Sequence, residues 1–573
     1  MRFVERHMHP KTPAIVILLL FAAVFSFGLG SYGGPEPEEG GLFTDSSSCQ
    51  SCHNNLGMEN GENLSIGTSW KSTMMAHSGV DVYWLAGVRR EITDHAAAAG
   101  AIQDECSKCH KSMQRYINHT DGLEGRVFDD EEAANTAHSA LALDGVSCTM
   151  CHQIKGDNLG TEESFVGGFE IEQQSTREAR RIFGPFEIAQ NTRRVMQSST
   201  GFEPVKADHI KKAELCAMCH TLYTHSLDEK GNDLGRFPEQ VPYQEWQHGI
   251  YEKKGVTCQD CHMVRSDRDN VISSVLGKPR EHFSKHSFSG GNFLVPQLMA
   301  QHPGKHHPRA SAEELEAGVE RTRAHLASAA ARISVEPAQC ADGILRTMVT
   351  VKNRAGHKLP TAYPSRRVWI RFTVKDSAGK GLFESGALNP DGSIKGNDND
   401  LDAQKYEPHY SVINSPDQVQ IYEPVMGRPD GSVTTGLLQA TQYLKDNRLL
   451  PDGFDKSEAH KDVAVHGAAA DDAEFKGGSH SVIYETGLIK GGGPYTITAG
   501  LWYQPIGHRW AMNFADYDLP EPARFVMMYK SVSGKDTAVM LAQDTIVVED
   551  DAPAAGTESI PEEAPQAPAE DAP

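Results

Sequence analysis

Five copies of one short pattern constrain this chain more than any other feature. Cys49-Gln-Ser-Cys52-His53, Cys106-Ser-Lys-Cys109-His110, Cys148-Thr-Met-Cys151-His152, Cys216-Ala-Met-Cys219-His220 and Cys258-Gln-Asp-Cys261-His262 use ten of the 11 cysteines. Paired cysteines alone would suit a disulfide framework, a zinc site or a thiol redox couple, yet none of these requires a histidine directly after each pair. Covalent porphyrin attachment does. Two thiols add across the two vinyl groups at one edge of the ring, and the next residue carries its imidazole under the iron. The pattern therefore predicts five covalently bound haem c groups, with His53, His110, His152, His220 and His262 as proximal iron ligands. Cys340 is left over and reads as a small buried apolar residue.

Such attachment belongs outside the cytoplasm, and the amino terminus agrees. Arg2, Arg6 and Lys11 precede an apolar run from Ala14 to Phe27, followed by the small residues Gly28, Gly30 and Ser31. This reads as a signal peptide or N-terminal anchor over residues 1–34. The expected location is periplasmic or otherwise extracytoplasmic. A formal net charge of −22 over 573 residues argues against nucleic acid and suits basic redox partner proteins, membrane-associated ones included.

The sixth iron position separates a carrier from a catalyst. Histidines outside the motifs are abundant between residues 49 and 310, and six stand out: His77, His95, His138, His209, His248 and His286. An internal repeat marks two of them. His138 lies ten residues before Cys148 and His248 ten before Cys258, each on a short helical stretch ended by Gly-Val. His209 and His95 precede motifs at comparable spacing, His77 follows a helical stretch from Trp70, and His286 opens a Gly-rich segment. Six candidates for five positions leave one bystander. The cluster His302, His306, His307 reads as surface loop. Met74, Met75 and Met113 could serve as thioether ligands, but the histidines suffice without them.

Along the chain, residues 35–310 form the pentahaem part, mainly helical and irregular, with its core supplied largely by the porphyrins. Residues 311–333 read as one amphipathic helix opened by a Ser311/Glu314 capping box. From 334 to 548 the pattern turns to strands: Leu345–Val351, Arg367–Val374, His480–Tyr484, Tyr495–Tyr503 and Arg524–Lys530. This predicts a C-terminal antiparallel β-sandwich with an irregular insertion around 400–475. Residues 549–573 form an acidic, Pro-rich tail expected to be disordered. Asn397-Asp398-Asn399-Asp400-Leu401-Asp402 offers oxygen ligands for calcium but lacks the glycine of an EF-hand loop, so it reads as a solvated acidic turn. His357, in Gly-His-Lys-Leu-Pro-Thr, is expected to pack at the domain interface rather than reach a haem.

Gly145-Val-Ser-Cys-Thr-Met-Cys-His-Gln-Ile, Cys216-Ala-Met-Cys-His-Thr-Leu-Tyr-Thr, Gly356-His-Lys-Leu-Pro-Thr-Ala-Tyr-Pro-Ser-Arg-Arg and Lys445-Asp-Asn-Arg-Leu-Leu-Pro resemble segments of bacterial multihaem (pentahaem) cytochrome c proteins. The haem part is similar in style to tetrahaem cytochromes of ammonia oxidisers. The resemblance implies electron transfer through mostly bis-histidine haems, without naming donor or acceptor. Ammonia-forming nitrite reductases are also pentahaem, but their catalytic haem usually carries lysine in place of the motif histidine; all five motifs here end in histidine. Hydroxylamine-oxidising enzymes carry more haems and a cross-linked tyrosine, which has no counterpart assigned here.

The expected function is thus a non-catalytic relay between redox partners. The alternatives are an oxidoreductase with one open haem acting on a small nitrogen or sulfur compound, and a subunit of an oligomeric cytochrome assembly.

Overall fold

A Cys-X-X-Cys-His pattern places both thiols on one face only if its backbone is helical, because residues three and four apart then stack along one side. The computed structural model shows this local structure at each motif. It describes residues 41–57, 63–128, 137–172, 180–304, 309–341, 343–488 and 492–549. Helices Ser46–His53 and Ala99–His110 carry the first two motifs at their C-terminal ends. Short helices Cys148–Cys151, Ala213–Ala217 and Cys258–His262 begin the third, reach into the fourth and span the fifth. The N-terminal export segment, nearly all of the acidic tail, His306, His307 and the side chain of His138 lie outside the described residues.

The internal repeat has a structural counterpart. Helices Ala137–Leu143 and Pro242–Gln247 precede the third and fifth motifs. Gly145 and Gly255 then both turn the chain at positive φ, +61° and +66°, where any side chain would be strained. The helix Ala312–Ala329 has the reciprocal Ser311/Glu314 capping box that the sequence indicates. It ends four residues earlier than expected, because Ile333 already belongs to a strand.

Seven longer strands follow: β1 (Ala331–Val335), β2 (Ile344–Asn353), β3 (Arg367–Lys375), β4 (Gly381–Ser385), β5 (Ser479–Gly487), β6 (Tyr495–Gln504) and β7 (Val539–Val548). One sheet runs β5-β2-β1, with short strands Gln339–Ala341 on β2 and Val412–Ile413 on β5; the last pairs in parallel. The other runs β4-β3-β6-β7, with Ile421–Tyr422 also on β3. Their apolar faces share one core, in which Phe372 of β3 stacks on Tyr484 of β5 with ring centres 4.0 Å apart. The insertion around 400–475 is more ordered than expected, since Pro424–Gly427 pairs with both Val433–Thr434 and Gln442–Asp446.

Two expectations fail here. Arg524–Lys530, read as a strand, lies inside the helix Pro520–Ser531. A proline in the first turn starts that helix, and Pro522, Phe525, Val526, Met528 and Tyr529 are buried at three- and four-residue steps. Cys340 is half-buried on a short edge strand rather than enclosed.

The helix Val82–Asp94 joins the motif-bearing part to the strands. Asp81 caps it by accepting from the Tyr83 and Trp84 amides, at 2.8 and 3.1 Å. Its buried face packs on the helix Pro520–Ser531, where Tyr83 meets Phe525 and Arg89 pairs with Glu521 at 2.7 Å. Among the described residues no helix is long and apolar enough to cross a membrane.

Candidate functional site

The five motifs open onto one connected cavity of about 2600 Å³, lined by all five motif histidines and nine of the ten motif cysteines. Pockets for a single small molecule span roughly 300–1,000 Å³, so this space suits several large apolar groups. Thiols of different motifs lie side by side within it: Cys49 by Cys148, Cys109 by Cys219, and Cys216 by Cys258. Burial pushes Cys151 up to about 11 and raises Cys106; the neighbouring thiol first, and then burial, raises Cys216 and Cys219. Apolar surroundings that disfavour a thiolate suit an uncharged thioether.

Four of the five motif imidazoles are oriented for metal. Nδ1 of His53 bonds the Ile272 carbonyl at 2.5 Å, that of His110 bonds Ser78 at 3.1 Å, that of His152 bonds Phe183 at 2.5 Å and that of His262 bonds Ser289 at 2.6 Å. A carbonyl accepting from Nδ1–H leaves the Nε2 lone pair for an iron. The enclosing protein lowers His110 and His220 to about 4, and His152 and His262 also titrate below their ordinary range. These four are neutral at pH 7, the form that ligates. These donors fit haem c: two thiols to hold the ring and an anchored imidazole to meet its iron.

A metal–imidazole bond is about 2.0 Å and the ring centre lies about 1.1 Å beyond the nitrogen, so two imidazoles sharing one metal sit roughly 6.2 Å apart. His152 and His286 have ring centres 6.4 Å apart and planes inclined by 22°. His286 is also anchored through Nδ1, to the Ser284 carbonyl at 3.1 Å, and enclosure lowers it to about 3. His262 has two such neighbours, His357 at 6.2 Å and 11°, and His325 at 6.3 Å and 48°.

The other sequence candidates sit elsewhere. His77 is buried, with Nδ1 on the Thr73 carbonyl and Nε2 accepting the Arg309 amide at 3.2 Å. His209 bonds the Ile154 carbonyl through Nε2 at 2.8 Å. His248 bonds the Gln244 carbonyl through Nδ1, and its Nε2 faces the His460 amide at 3.4 Å. His95 is buried and neither ring nitrogen has a hydrogen-bond partner. None of these four lines the cavity. His302 lies at the surface on Ser531. His357 and His325 were not among the candidates. Position in the chain hides them, since both lie beyond the motif-bearing stretch of residues 49–310 and only the fold returns them to it.

Two polar clusters lie apart from the cavity. Asp400 is not a solvated turn residue: it is buried, and both its oxygens accept from Arg367 at 2.9 Å. His409, Asp472 and His480 converge with donor atoms within 4.8 Å of one another. Nδ1 of His409, however, accepts from the Gln420 and Asn447 amides at 3.1 and 3.0 Å. Their carbonyl oxygens accept the Tyr410 and Glu423 backbone amides, which fixes both orientations. The ring proton therefore sits on Nε2, the atom a metal would need, and is donated to Asp472.

Residues 37–181, which contain the first three motifs, match the family model described as outer membrane cytochrome MtrC/MtrF-like, domains II/IV. A penta-haem cytochrome c552 from Thermochromatium tepidum is similar in structure, with 15% sequence identity and a TM-score of 0.47, over 89% of this chain and 100% of that one. No curated protein matches the sequence. The repeated attachment motif, its shared cavity and the cytochrome family model over residues 37–181 together support a multihaem cytochrome with covalently held haem c and a part in electron transfer.

Proposed function

We propose that this protein is a non-catalytic relay. It passes single electrons through five haem c groups, one per motif, between redox partner proteins at the periplasmic or outer surface. The facing pair His152 and His286 carries the reading. At that motif, two anchored imidazoles at the spacing of one shared metal would hold a bound haem iron between them and leave a substrate no open site there. When bound, haem supplies a one-electron couple; the chain's own residues set where each couple sits and what surrounds it.

The thiol contacts support a close, branched arrangement. Cys49 beside Cys148 puts the first attachment site next to the third. Cys109 beside Cys219 and Cys216 beside Cys258 put the second and fifth next to the fourth. Cys151 lies near Cys216 and Cys219, which brings the third site close to the fourth. The haem part spans 35–310 and the sheets from 334 to 548 form a β-sandwich behind it, with residues 1–34 serving export or anchoring. A net charge of −22 favours partners with basic docking faces.

The test is pyridine-haemochrome quantitation of haem per chain with low-temperature electron paramagnetic resonance of the oxidised protein. Five haems without a stoichiometric high-spin signal support the relay. A high-spin haem whose signal shifts on adding nitrite or hydroxylamine would replace it with an oxidoreductase.

A further inference from the structure

We infer that His357, which lies among the strands of the C-terminal half, is the sixth ligand to the iron held by His262. This rests on the fifth motif binding haem, and adds that the β-sheet part closes a metal site begun in the other half.

Both His357 and His325 stand at a ligand-like distance from His262, and one iron has a single position opposite its motif histidine. Orientation separates them. His357 donates Nδ1–H to the Lys358 carbonyl at 2.7 Å, which turns Nε2 toward the cavity. His152, His286 and His262 are anchored by carbonyls in the same way. Its plane lies within 11° of that of His262, close to the 22° of the His152 and His286 pair, whereas His325 is turned by 48°.

The backbone beside His357 is held by buried charges. The amide of Lys358 donates to Glu245 at 3.1 Å, and the Thr361 hydroxyl donates to the same carboxylate. Lys358 Nζ reaches Asp446 at 2.7 Å, and Arg448 bridges Asp446 and Glu245 at 2.8 Å each. Two cations and two carboxylates, each with at most 4% of its side chain exposed, form a closed and neutral set. Glu245 belongs to the helix Pro242–Gln247, ahead of the fifth motif, while Lys358, Asp446 and Arg448 come from the C-terminal half. Desolvating four charges favours little net stability, but it does fix one arrangement of the segments that meet there. That arrangement delivers His357 to the metal of the neighbouring motif.

The experiment uses the full-length, haem-loaded protein. His357→Ala should retain all its haem by pyridine haemochrome and convert one haem per chain to high-spin by electron paramagnetic resonance. Added imidazole should return it to low-spin. His325→Ala should stay fully low-spin. His357→Met covers the case in which the alanine variant misfolds: it should remain low-spin with one reduction potential raised, as methionine ligation does. Unchanged low-spin spectra and potentials in the His357 variants, with haem content intact, would overturn the assignment, as would a high-spin haem in His325→Ala. A wild-type protein lacking haem on the fifth motif would instead refute the five-haem relay, which separates the two failures.

Discussion

The Glu245 carboxylate and the Arg448 guanidinium pair at 2.8 Å, the first with none and the second with 4% of its side chain exposed. Removing one partner strands the other in a medium that cannot solvate it. Arg448→Ala should therefore lower the unfolding free energy by about 3–5 kcal/mol, measured by urea titration with far-UV circular dichroism. A loss within the range of an exposed pair, under about 1 kcal/mol, would show that water reaches the network.

His286→Ala should open the iron position opposite His152. One haem per chain would turn high-spin and bind added imidazole, while thioether attachment, and so haem content, stays the same. An unchanged low-spin spectrum at full haem content would show that another side chain holds that position.

Arg367→Ala strands the buried Asp400 carboxylate without touching the cavity. Stability should fall by about 3–5 kcal/mol while the haem absorption spectrum is unaltered. A spectral change would mean that the strands and the haem sites are more tightly coupled than their packing indicates.

Acid should weaken the fold through His409. Burial, the nearby His480 and its hydrogen-bonding to two amides hold this imidazole neutral down to about pH 3, against an ordinary 6.5. Between those values the unfolded chain binds a proton that the folded chain refuses. Stability contributed by His409 is thus full above 6.5 and declines as pH falls through the window, by up to about 1.4 kcal/mol per pH unit. His409→Gln should flatten the urea-midpoint profile between about pH 6.5 and pH 5. A profile as steep as that of the wild type would assign the acid sensitivity to other groups.

Legibility in the sequence followed how local each signal is. The motifs, the Ser311 capping box and the strands from Leu345, Arg367, His480 and Tyr495 depend on residues a few positions apart, and each was readable. The helix Pro520–Ser531 is hidden because Phe525, Val526 and Tyr529 also favour strands, and their β character masks the helix start at Pro520. Strand β7 escaped because Gln543, Asp544 and Thr545 interrupt its apolar run. Axial positions were the hardest to read. Spacing to the nearest motif drew attention to His209 and His248, whose Nε2 atoms the fold turns to backbone groups. What faces a motif histidine is set by chain segments far away in sequence, as His357 facing His262 illustrates.

The contacts between thiols of different motifs bear on how such a protein is made. Cys49 against Cys148, Cys109 against Cys219 and Cys216 against Cys258 are each cross-motif encounters that an oxidising compartment would convert to the wrong bond. A chain that collapsed to this shape before receiving its porphyrins would trap itself in cross-linked dead ends. Attachment ahead of collapse would avoid that outcome, because a thioether sulfur can no longer enter a disulfide.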